Sequence, residues 1–174
     1  MKKSLVVYSL ALLFAVLFFS VSGYSQKSPP NRPSPPATAS GKIGNAKITI
    51  NYGSPSVKGR KIWGELVPYG QVWRAGANEA TTFETDKDVT VEGKNLPVGK
   101  YAFFTIPGEK EWTIIFNKVP DQWGAFKYDQ SQDALRVMAK PRKTAAFTER
   151  LVYEVTDKGI VLRWENMEVP VAIK

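Results

Sequence analysis

Residues 101–116 read YAFFTIPGEKEWTIIF, and this stretch decides the fold class. Tyr101–Ile106 and Trp112–Phe116 are apolar on both faces of an extended chain and too short for ordinary helices. They are rich in aromatic and β-branched side chains, the content of strands covered on both sides. Pro107–Glu111 between them supplies the loop of a hairpin. The segment therefore predicts two central strands of a sheet.

Working outward, the hydrophobic period stays at two. Ile48, Ile50 and Tyr52 alternate with Lys47, Thr49 and Asn51. Leu135, Val137 and Ala139 alternate with Arg136, Met138 and Lys140. Leu151, Tyr153 and Val155 form another such set, as do Ile160, Leu162 and Trp164, and Val169, Val171 and Ile173 close the chain. Each run has one face for a core and one for water. Glu92–Asn95 and Asp157–Gly159 mark further hairpin turns. No helical stripe runs longer than the single turn that Ile62–Leu66 would allow. The expectation is an all-β fold: a two-sheet antiparallel sandwich, jelly-roll-like, with one long packed loop and little helix.

The 174 residues divide into three parts. Lys2 and Lys3, the apolar run Leu5–Val21 and the small-x-small Gly23-Tyr24-Ser25 predict a signal peptide over 1–25, cleaved before Gln26. Residues 26–36, QKSPPNRPSPP, hold five of the chain's 12 prolines and read as a stiff linker. Residues 37–174 form the sandwich domain. The leader predicts export to the periplasm or the extracellular space. Contact with the membrane is then expected only through the leader before cleavage.

Composition narrows the chemistry. The chain has no cysteine and no histidine. This excludes thiol nucleophiles, thiolate metal sites and every triad that runs through imidazole. No cofactor and no metal site are expected. Charge is uneven: Lys27, Arg32, Lys42, Lys47, Lys58, Arg60 and Lys61 precede the first acid, Glu65, and the remainder is near neutral. For an exported protein such basicity suits an anionic envelope surface rather than nucleic acid.

Candidate site residues concentrate in Ser54–Glu79, SPSVKGRKIWGELVPYGQVWRAGANE, which lacks alternation until Val72. Its apolar residues predict a loop packed on the sandwich, with Trp63, Leu66 and Val67 facing the core. Lys58 and Arg60 would form an anion site or a solvated basic turn. Arg74 and Glu79 would clamp a ligand or neutralise each other, and Asn78 would hold a turn. Tyr69, Trp73 and Trp123 are candidate aromatic contacts, and of the five tryptophans Trp123 sits where exposure is most expected. Trp112 and Trp164 fall on core faces.

PSVKGRKIWGELVPYGQVWRAGANEAT, DVTVEGKNLPVGKYAFFTIP, WTIIFN and WGAFKYD together resemble a family of exported bacterial proteins, domain of unknown function 2911. The resemblance runs from Ser34 to Lys174. It implies export and a shared fold, and it implies no activity, substrate or catalytic residue. Two functions stay open: a non-catalytic binding or structural module of the bacterial envelope, its ligand a glycan or another anionic component, or a carboxylate-dependent hydrolase acting on an envelope glycan.

Overall fold

The computed structural model describes residues 32–174, and the predicted leader and the start of the linker lie outside them. Ten strands follow in order: β1 Pro36–Ile43, β2 Ala46–Gly53, β3 Thr81–Thr85, β4 Val89–Val91, β5 Lys94–Leu96, β6 Gly99–Ile106, β7 Trp112–Asn117, β8 Asp133–Ala139, β9 Arg142–Thr156 and β10 Gly159–Ala172. A single 3₁₀ turn, Gln130–Gln132, precedes β8.

The first sheet is antiparallel, in the order β1-β2-β3-β6-β7-β8. The predicted hairpin is β6–β7, inside the sheet as its two apolar faces require. One face, with Phe103, Trp112, Ile114 and Phe116, meets the opposing layer. The other, with Ala102, Phe104 and Ile115, is covered by Val72, Ala80, Ala125 and Tyr128. β1 is built from small and polar residues and has no apolar run to announce it. It is pinned to β2 through the Gly44-Asn45 turn.

The opposing layer is the long β9–β10 hairpin. Reciprocal bonds between Thr90 and Lys174 and the Val91–Ile173 bridge attach the β4–β5 pair to its β10 side. On its β9 side, Ser56 bridges Arg150. The two layers enclose one core, so the fold is an antiparallel sandwich. The β4–β5 turn places both Glu92 (φ 45°) and Gly93 (φ 81°) at positive φ, the backbone of a two-residue type I′ hairpin.

The two apolar sets near the C-terminus belong to one strand. Ile160, Leu162 and Trp164 point inward at even positions, Val169, Val171 and Ile173 at odd ones. Without a correction the second set would face water. Register shifts on either side of Glu165 supply it, with Glu165 at φ 56°.

Four tryptophans meet at the centre. Trp63 packs edge-on against Trp73, Trp112 and Trp164 at centroid distances of 5.9, 5.1 and 5.9 Å. Trp73 stacks on Trp164 at 6.1 Å. One ring comes from each sheet and two from the long loop, so this nest binds the loop to both layers.

The loop turns back at Ala75, whose φ of 53° is costly for a residue with a Cβ. Two donors hold it: Tyr153 Oη at 2.8 Å and Thr81 Oγ1 at 3.0 Å both donate to the Ala75 carbonyl. Beyond it the chain crosses directly over Gly53, and Ala77 N–H donates to the Gly53 carbonyl at 3.2 Å. A Cβ on Gly53 would sit 2.1 Å from the Ala77 carbonyl oxygen. Gly53→Ala is therefore expected to cost about 2–3 kcal/mol through overpacking. The melting temperature should fall by at least about 5 °C. Unchanged thermal unfolding would show that the corner yields.

Burial raises the pKa of Tyr153 well above the usual phenol value. The folded state keeps this proton at pH values where the unfolded chain releases it, so the stabilisation is complete below about pH 10 and lost as pH rises beyond. Tyr101 and Tyr128 are shifted in the same direction, by burial first. Thermal melts should be flat to about pH 9 and fall above about pH 10, less steeply in Tyr153→Phe. Equal slopes for the two proteins would remove Tyr153 as the cause.

Candidate functional site

The first third of the long loop belongs to the β9 edge. Val57 N–H donates to the Glu149 carbonyl and Leu151 N–H to the Pro55 carbonyl. Lys58 N–H donates to Glu149 Oε1 at 3.0 Å, and Arg60 Nε donates to the Val57 carbonyl at 3.0 Å. Both side chains are exposed on a turn, and Arg60 is spent on its own loop. The structure places them on β9, apart from the other candidates.

In the middle third, Ile62–Val67 closes as a tight turn rather than a turn of helix, with Gly64 N–H donating to the Val67 carbonyl and Val67 N–H to that of Ile62. Trp63 and Val67 are buried as expected, whereas Leu66 is 45% exposed. Ile62, Trp63 and Val67 at the two ends of the turn face the core, and Gly64–Leu66 between them form its outer side. Tyr69 is partly exposed, its ring against Gly64, and Gly70 N–H is tied to the Pro107 carbonyl. It lies by the β6–β7 loop.

The last third carries the site. Trp73 exchanges backbone bonds with Thr105 of β6, at 2.7 and 2.9 Å. This short extended segment turns the Trp73 ring into the core nest. Val72, its neighbour, packs on the outer face of the sheet. Arg74 also leaves the core and lies against Gly124 of the loop 118–129. Asn78 takes φ 66°, accepts from Gly124 N–H at 3.1 Å and donates its side-chain amide to the Ser34 carbonyl at 3.0 Å. Glu79 and Trp123 are bridged partners. Such partners project to the same side of a ribbon, and Trp123 is 59% exposed.

Glu79 and Arg74 do not pair. Arg32 Nη1 donates to both Glu79 carboxylate oxygens, at 2.7 and 2.8 Å. These bonds hold the Glu79 carboxyl below its ordinary value. Arg74 has no ion pair or hydrogen bond among the described residues, and its Nε is buried.

Beside this corner, on the outer face of β1, β2 and β3, lies a polar groove of about 350 Å³. Thr38, Asn51 and Thr82 line its floor, cross-strand neighbours on adjacent strands. Arg32, Asn78 and Glu79 form a wall, and Lys100 stands at one side. Thr38 Oγ1 donates to Asn51 Oδ1 at 2.8 Å, while Thr82 Oγ1 is buried without a partner. The structure thus brings Asn78, Glu79, Trp123 and Arg74 to one end of the sandwich and leaves Lys58, Arg60, Tyr69 and the Trp73 ring elsewhere. Sequence reasoning missed Arg32, Lys100 and the threonine–asparagine floor. The one available signal was that Asn51 sits on the water face of its strand.

Other candidates are occupied structurally. A larger opening of about 560 Å³ lies between β8 and β10. There Glu92 accepts from Ala172 N–H and Arg142 pairs with Glu168 at 3.0 Å. Asp86 and Asp88 accept from the backbone of Lys47 and Val98. Asp129 caps the 3₁₀ turn, and Asp133 accepts from Asn117 and Tyr128. Among the described residues no group of three acidic side chains converges as a metal site.

No curated protein and no solved structure matches the chain. The model of the family described as Protein of unknown function (DUF2911) matches residues 34–173, nearly the whole of the described body, and the chain belongs to that family.

Proposed function

We propose that the chain is an exported, non-catalytic binding module of the bacterial envelope, and that its groove takes a hydroxyl-rich ligand, a glycan. The observation that carries this reading is the groove lining. Thr38, Asn51, Asn78 and Lys100 set polar side chains along rigid strands and a pinned corner, over the buried Thr82 hydroxyl. Hydroxyl-bearing ligands are recognised by such mixed lining, since each sugar hydroxyl both donates and accepts. Trp123, exposed next to Glu79, offers a flat apolar face at the rim.

The state of the carboxylates supports binding over hydrolysis. Glycoside hydrolysis uses two carboxyl groups facing the scissile bond, one with a raised pKa. Glu79 is the single carboxylate in the groove lining, and Arg32 pushes its pKa the other way.

Two measurements test the proposal. The mass of the mature protein should correspond to a chain beginning at Gln26, whereas an intact Met1 in the membrane fraction would overturn cleavage and make the leader a membrane anchor. A glycan array probed with the mature domain should give binding that Asn51→Ala and Trp123→Ala each weaken about tenfold, equivalent to 1.4 kcal/mol. Binding indifferent to both substitutions, or none at all, would reject the groove.

A further inference from the structure

Arg74 is a half-buried cation without a counter-charge among the described residues. Its backbone is held by the neighbouring Trp73–Thr105 bonds, which fix the point from which the side chain projects. Its Nε is sealed from solvent with no acceptor. The nearby acid that could answer it, Glu79, is bound by Arg32. Burial alone lowers the Arg74 pKa, the signature of desolvation without compensation. Desolvating a charge is costly unless it is paired, which makes an unanswered guanidinium unusual in a resting fold.

The surroundings are those of a contact surface. Gly124 takes φ 65°, and the place where its Cβ would sit lies 3.9 Å from Arg74 Nη1 and 3.0 Å from the Phe126 ring. The bare glycine lets the cation and an aromatic ring flank one stretch of backbone. Phe126 is 84% exposed and Trp123 59% exposed, one on each side of Gly124. Both rings stand in water on the loop 118–129, within three residues of each other. Gly124 is itself bonded to Asn78, which lines the groove.

We infer that Arg74 receives the carboxylate of an acidic sugar, its guanidinium binding the oxyanion while Trp123 and Phe126 pack against the sugar ring. This deepens the glycan reading of the groove and rests on it. With Nε sealed, the two Nη groups remain to approach a planar carboxylate in the paired geometry that arginine favours. The ligand supplies the missing counter-charge.

The test uses the mature domain, polygalacturonate, the same polymer with its carboxyls reduced to alcohols, and inorganic phosphate. The acidic polymer should bind at least tenfold more tightly than the reduced one, with a margin that shrinks as salt is added. Arg74→Met should erase that margin, leave binding of the reduced polymer intact and keep or raise the melting temperature. Arg74→Lys, which keeps charge but loses the planar fork, should retain only part of the margin. If Arg74→Met lowers the melting temperature by several degrees and spares the margin, Arg74 is structural and the inference falls. Equal binding of both polymers would also sink it while leaving the glycan reading standing, whereas binding of neither would remove both. Phosphate occupying the Arg74 site as tightly as the sugar carboxylate would replace the acidic sugar with a free ion.

Discussion

The carbonyl of Ala75 accepts two hydrogen bonds, from Tyr153 on the second sheet and Thr81 on the first, and much of the molecule's organisation depends on that junction. A neutral hydrogen bond contributes only about 1 kcal/mol net, but leaving a buried partner unmet costs about 1–3 kcal/mol. Here the bonds also hold a left-handed alanine. They fix where the long loop leaves the core and enters the outer face. Downstream of Ala75 come Asn78 and Glu79, and with them the wall of the groove.

The tryptophan nest does the complementary work on the inner side. Each indole buries roughly 150–250 Å², about 4–6 kcal/mol of transfer free energy at ~25 cal/mol per Å². Trp63 and Trp73 come from a segment with no named strand, so this apolar area is what offsets the entropy of ordering it. The nest carries a polar cost, since the indole N–H groups of Trp63, Trp112 and Trp164 have no acceptor among the described residues. A core built on edge-to-face indoles gains shape complementarity and leaves no oxygen within reach of those donors.

Together the two features separate a rigid interior from a chemically open end. The same extended residues, Val72–Arg74, place one ring in the nest and a guanidinium outside, because neighbours on a strand point to opposite faces. The interior fixes the backbone to which Arg74 is attached, and the exterior gives it no partner. A small domain without disulfides can hold an open polar surface this way: packing supplies the rigidity that the surface itself lacks.

The alternating strands, the central β6–β7 hairpin and the burial of Trp112 and Trp164 were determined by the sequence itself, whereas β1, β3 and the register shift at Glu165 carried no such pattern. Period-two burial and turn chemistry are local, and a residue's neighbours along the chain suffice to assign them. The packing of the long loop was legible for the same reason, since Trp63 and Val67 had to leave water. Of the site, the sequence placed Arg74, Asn78 and Glu79 together, marked Trp123 separately as an exposed aromatic, and set Arg74 and Glu79 on a ligand or on each other. Only the tertiary structure decided that Glu79 answers to Arg32, 47 residues away, and that Arg74 has no partner among the described residues. It also decided that Leu66 faces out, and that Thr38, Asn51 and Thr82 share a floor with Lys100 beside them. These depend on which strands become neighbours and on where a loop crosses a sheet. Charge pairing and cavity shape follow distance through space, and spacing along the chain does not encode that distance.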